Sequence, residues 1–142
     1  MTDSFELHPD LQRDGLPVLD LPLSRVLLMD DASYPWLILV PRRPGLKDFH
    51  DLDREHQHRL CDEISHCSQA LQSLFKADKI NVAALGNVTP QLHVHVIARF
   101  TTDAAWPAPV WGKVPARPYD QLVRNERLQA LTAALGEGLF PE

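Results

Sequence analysis

The run Gln91-Leu92-His93-Val94-His95-Val96-Ile97-Ala98-Arg99-Phe100 constrains this chain more than any other stretch. Polar and apolar side chains alternate along it, the two-residue period of a half-buried strand. Gln91, His93 and His95 then project from one face, and Leu92, Val94 and Val96 from the other. A strand of this kind needs a sheet around it and a helix against its apolar back.

The rest of the chain supplies both. His8 to Asp14 is a short helix candidate, and Leu16–Leu21 and Arg25–Met29 are strand candidates. Trp36-Leu37-Ile38-Leu39-Val40 is a continuous apolar run closed by Pro41, the pattern of a strand buried on both faces. Asp53 to Ala77 reads as a long helix, with Asp53 as N-cap and an apolar stripe through Leu60, Ile64, Cys67, Leu71 and Leu74. Lys79–Leu85 is a strand and Gly86-Asn87-Val88-Thr89-Pro90 a turn. Ala104–Pro118 holds Trp106, Trp111 and four prolines, so it reads as an irregular arm. Tyr119–Leu135 is a second long helix with Gly136 as its stop. Strands, helix, strands, helix is the order of an α+β domain with an antiparallel sheet.

At 142 residues the chain is expected to form a single domain, with its core at about 15–100 and the arm and last helix over 101–142. Fourteen Lys and Arg against nineteen Asp and Glu give a net charge of −5, which argues against general binding of nucleic acid or anionic membranes. Cys61 and Cys67, six apart on one helix, read as packing residues rather than a disulfide. The acidic start Met1-Thr2-Asp3-Ser4-Phe5-Glu6 is unlike a signal peptide, and the expectation is a cytoplasmic protein.

The His-x-His ridge allows three readings. It can bind a metal, but a closed site needs further ligands that the cysteine positions do not offer. It can carry a nucleophilic imidazole that attacks an electrophile such as phosphorus. Or both histidines merely fill a half-buried sheet face.

The surrounding residues narrow the choice. Asn81, Gly86, Asn87 and the run from Gln91 to Arg99 resemble the signature of the histidine triad family. Trp36-Leu37-Ile38-Leu39-Val40-Pro41-Arg42-Arg43 is similar to the family's strand ending in Val-Pro-Lys/Arg, and His50-Asp51-Leu52-Asp53 before the long helix also fits. The resemblance spans about Arg25 to Arg99. It implies a five-stranded antiparallel sheet with two helices, usually paired into a dimer with a continuous ten-stranded sheet.

It also implies roles. His93 matches the nucleophile that attacks a nucleotide's α-phosphorus and becomes nucleotidylated. The main-chain carbonyl of Gln91 matches the acceptor that sets its tautomer. His95 matches the phosphate-binding histidine. Asn81, Asn87, Thr89 and Arg99 fall where the family meets substrate, and Asp30 or Asp31 is the candidate for ribose hydroxyls. Against turn-capping, solvent-facing or core roles, Asp30, Arg99 and the leucines Leu27, Leu28 and Leu37 remain open. Trp106 and Trp111 stack on a base or seal a dimer seam.

Two departures stand out: Gln91 replaces the first triad histidine, and Trp36 takes the place of an upstream family histidine. Neither can titrate. The expected activity is therefore hydrolysis or transfer at a nucleoside α-phosphate, of phosphoramidate or dinucleoside polyphosphate type, with leaving groups that need little acid help and no metal or cofactor. The rival is a nucleotide-binding protein with little catalysis.

Overall fold

The computed structural model describes residues 4–137. Five strands form one antiparallel sheet in the order β1-β2-β3-β5-β4: β1 Gly15–Asp20, β2 Ser24–Met29, β3 Trp36–Pro41, β4 Lys79–Ala83 and β5 Val94–Arg99. The helices are α1 Pro9–Asp14, α2 Arg54–Phe75 and α3 Gln121–Gly136. The α+β architecture, its five-stranded sheet and its two long helices match the expectation from the sequence.

β3 and β5 are central, and every residue of both is buried. Their alternation sorts side chains onto two faces. Val94, Val96 and Ala98 join Leu37, Leu39, Val26 and Leu28 under α2 and α3, with Leu60, Cys67, Leu71, Leu131 and Leu135 from the helices. The opposite face carries Trp36, Ile38, Val40, Ile97 and Leu27, covered by Leu11, Tyr34, Ala105 and Val110. One layer of helices and one layer of arm and α1 thus enclose the sheet.

Side-chain caps start both long helices. Asp53 accepts from the His56 N–H and Asp120 from the Val123 N–H, each contact worth about 0.5–2 kcal/mol. α2 ends at Lys76, which adopts the left-handed conformation (φ 55°).

Several boundaries differ from the sequence reading. β5 begins at Val94, not Gln91, because its pairing with β3 starts at Leu39↔Val94 and its pairing with β4 at Ala83↔His95. Gln91, Leu92 and His93 run past the sheet. Gly136 does not stop α3 but is its last residue, and an extended Glu137 caps it. On α2, Cys61 and Leu74 are exposed, whereas Glu63 is fully buried. Its carboxylate accepts from the backbone N–H groups of Leu23 (2.7 Å) and Ser24 (3.0 Å), fastening the β1–β2 turn to the helix. Burial raises the Glu63 pKa, and these contacts offset only part of that rise. No helix among the described residues is long and apolar enough to cross a membrane.

Candidate functional site

The loop from Ala84 to His93 turns back over the arm-side face at Gly86, whose φ of +77° favours glycine. A cavity of about 320 Å³ opens there, within the range of small-ligand sites. The loop lines it with Gly86, Asn87, Val88, Thr89 and, at its end, His93, and the start of β5 with His95. Asp10, Leu11 and Asp14 of α1 form the facing wall. Met29, Ile38 and Trp111 supply apolar surface.

The two imidazoles are almost completely buried, with ring centroids 4.9 Å apart. Each is held at Nδ1 by a partner that cannot change its role. His93 Nδ1 lies 2.7 Å from the main-chain oxygen of Gln91. A carbonyl only accepts, so Nδ1 carries a proton, and in the neutral ring Nε2 keeps a free lone pair. His95 Nδ1 lies 2.9 Å from Trp36 Nε1. An indole N–H only donates, so here Nδ1 is bare and the neutral ring carries its proton on Nε2. Burial, with a smaller push from His93, lowers the His95 pKa to about 4. Trp111 packs edge-on against both His95 and Trp36, at 5.0 and 5.7 Å.

The structure brings His93, His95, Asn87 and Thr89 to one cavity. It does not bring Gln91, Asn81, Asp30 or Arg99 there. The Gln91 side chain accepts from the His8 N–H (2.9 Å) and donates to the Glu6 carbonyl (2.9 Å), tying down the N-terminal stretch. Arg99 neither meets the cavity nor faces solvent. It is buried, in a two-point ion pair with Asp103 (2.8 and 3.0 Å), and also donates to Ala108 O and to the Asn81 side chain. Asn81 is thereby occupied as well. Asp30 accepts from the Tyr119 N–H, and Asp31 from the Ser33 and Arg117 N–H groups, so both act as backbone caps. Leu27, Leu28 and Leu37 are core residues and do not line the cavity. Trp106 lies beside the Arg99 guanidinium, 5.7 Å from its ring centre.

The sequence reading missed two carboxylates of the lining, Asp10 and Asp14, and the apolar Leu11, Met29, Ile38 and Leu85. The first two had a signal, an i, i+4 pair of carboxylates flanking Leu11 on one short helix. The Thr89 hydroxyl donates to Asp10 (2.8 Å), joining the loop to α1, and this bond is the largest cause of the lowered Asp10 pKa. Among the described residues, no three His, Cys, Asp or Glu side chains are grouped to hold a metal ion.

The HIT domain family model matches residues 11–102, which takes in the loop, both imidazoles and the strands beneath them. The chain belongs to the histidine triad family. Similar solved structures include a histidine triad protein from Bradyrhizobium japonicum, 49% identical, with a TM-score of 0.91 over 93% of this chain and 98% of that one. Another from Marinobacter aquaeolei is 44% identical, with a TM-score of 0.91 over 94% and 97%. A hypothetical histidine triad nucleotide-binding protein from Sulfolobus tokodaii shares the fold at 14% identity and a TM-score of 0.67, over 93% of this chain and 95% of that one. No curated protein sequence matches the chain.

Proposed function

We propose that this histidine triad protein hydrolyses or transfers nucleotidyl groups, acting at a nucleoside α-phosphate through a nucleotidyl-histidine intermediate on His93. The observation that carries this reading is the 2.7 Å contact between His93 Nδ1 and the Gln91 carbonyl. In the neutral ring it leaves the Nε2 lone pair free at the edge of the cavity. Family membership supports the same chemistry.

In the first step the Nε2 lone pair attacks the α-phosphorus, a P–N bond forms and the bond to the leaving group breaks. The leaving group keeps the electron pair. In the second step water attacks the same phosphorus and the P–N bond breaks, returning His93. The water's protons end on the products and solvent. His95 Nε2–H and the Asn87 amide are the donors for the phosphate oxygens, where negative charge builds in the transition state. Leu11, Met29 and Ile38 give the base an apolar wall. Substrates of phosphoramidate or dinucleoside polyphosphate type fit this chemistry.

The second reading, a nucleotide binder with little turnover, rests on one observation. The Gln91 side chain is turned away from the cavity and cannot titrate, so it lends no proton to a leaving group. A single experiment separates the two. Incubation with an adenosine phosphoramidate, quenched without acid, is expected to show a nucleotidyl adduct on wild type by mass spectrometry. His93→Ala is expected to lose the adduct and roughly 10³-fold or more in rate, at an unchanged melting temperature. Full turnover by the variant refutes His93 as nucleophile. Tight nucleotide binding with no turnover of any substrate supports the binder instead.

A further inference from the structure

We infer that Trp36 is a positioning residue that locks His95 into a single tautomer, making it a fixed hydrogen-bond donor to the phosphate and removing it from proton transfer. The inference rests on the reading of His93 and His95 just given.

Trp36 stands on β3, opposite Ile97 in the sheet register, and its side chain is almost wholly buried. Its Nε1–H reaches His95 Nδ1 at 2.9 Å. In the Nδ1–H tautomer of His95, two N–H groups would face each other at that distance, with no acceptor for either. Leaving buried donors unmet costs about 1–3 kcal/mol each, enough to exclude that tautomer at equilibrium. The imidazolium has the same conflict, because it too carries a proton on Nδ1. Tryptophan differs here from every titratable partner. A histidine or carboxylate at this place can trade a proton with His95, whereas an indole has none to accept or give at working pH.

No group packed directly on His95 can take the proton relay over. The partners packed on His95 are His93, Trp36 and Trp111, with uncharged Ala83 and Ile38 opposite it on β4 and β3. Asp10 and Asp14 face it across the cavity from α1. Arg99, four residues on along β5, is neutralised by Asp103. His93 spends its own Nδ1 proton on the Gln91 carbonyl. The two rings are thus anchored by one pure acceptor and one pure donor. They present opposite ends to the cavity: a lone pair from His93 and an N–H from His95. This polarity suits a phosphate group approached by a nucleophile. It offers nothing to a leaving group that must be protonated as it departs.

Nitrogen-15 NMR of the imidazole rings tests the lock without any substrate. At pH 7 wild-type His95 is expected to show Nε2 protonated and Nδ1 bare, and Trp36→Phe a mixture of both tautomers. Trp36→His is expected to keep a ring N–H donor but to add one ionisation to the acid limb of kcat against pH relative to wild type. In kinetics, Trp36→Phe is expected to lower kcat by roughly tenfold to a hundredfold, by analogy with the loss when the outer partner of a metal-bound histidine is removed, with KM little changed. A wild-type His95 with its proton on Nδ1 overturns the proposal. So does a tautomer unchanged in Trp36→Phe. If Trp36→Phe fails to fold, the wild-type spectrum and the Trp36→His pH profile still decide. A locked tautomer in a protein that turns over no nucleotide would uphold this inference and refute the hydrolase reading, so the two fail separately.

Discussion

His95 is the residue on which solution pH acts most directly. Its folded pKa is lowered to about 4 from an ordinary value near 6.5. The unfolded chain therefore takes up a proton through pH 6.5 that the folded chain refuses until about pH 4. Stability is fully present above pH 6.5 and is lost as pH falls between these values. The loss is on the order of 3 kcal/mol. Urea unfolding from pH 7 to 4 is expected to show this decline in wild type and a shallower one in His95→Asn. Parallel profiles would mean that His95 is more accessible to protons than its burial implies. At this scale the sequence was informative where chemistry is local. His93 and His95 stand out because alternation is a local pattern, and the Gln91 carbonyl acts on a ring two residues away. The Gln91 side chain was not legible, because its partners Glu6 and His8 lie 85 and 83 residues away. Glu63 left a trace, a carboxylate three residues after Leu60 in an otherwise apolar stripe, but only the position of Leu23 and Ser24 explains it.

At the scale of elements, the irregular arm after β5 is fastened by one ion pair. Asp103 takes both oxygens to Arg99 and also accepts from the backbone N–H groups of Phe100, Ala105 and Trp106. These contacts outweigh its burial and bring its pKa down to about 2. Both side chains are almost fully enclosed. Removing one charge strands the other, which costs about 3–5 kcal/mol at buried pairs. Asp103→Asn is expected to lose stability of that order in urea unfolding and to expose Trp111 to an aqueous quencher. Arg99→Met with Asp103→Leu is expected to be less damaging than either single change. A near-neutral Asp103→Asn would show that the arm is held by its apolar contacts instead. The helices and strands of the core were readable from periodicity, down to the cap Asp53, whereas the Asp120 cap of α3 was not. The ends of β4 and β5 were not, because a strand stops where its neighbour stops, and no single segment contains that information.

At the scale of the molecule, the two sheet edges are unequal. β1 is blunted by Pro17 and by an irregular register between Pro17 and Leu19. β4 pairs only with β5 among the described residues, and Val82 on it is half exposed. A free, regular edge with an apolar side chain invites a second copy. We expect a symmetric dimer joined along β4. Light scattering at micromolar concentration is expected to give about twice 16.0 kDa, and Val82→Lys to shift the value towards one chain. A single-chain mass at every concentration refutes the pairing. The sequence pointed to a dimer through the Trp-containing arm, the apolar stripe of the long helix and the family resemblance, but not to the β4 edge, since an edge is a property of the assembled sheet.

The cavity wall joins parts of the chain that are made far apart in time. Thr89 closes onto Asp10 across 79 residues, and Trp111 arrives later still. A chain emerging from the ribosome N-terminus first exposes α1 long before the loop that meets it exists. No nascent fragment ending before Thr89 contains the binding cavity. A ligand of the cavity therefore has nothing to grip until that loop has emerged and closed onto α1, and any protection it gives begins only then.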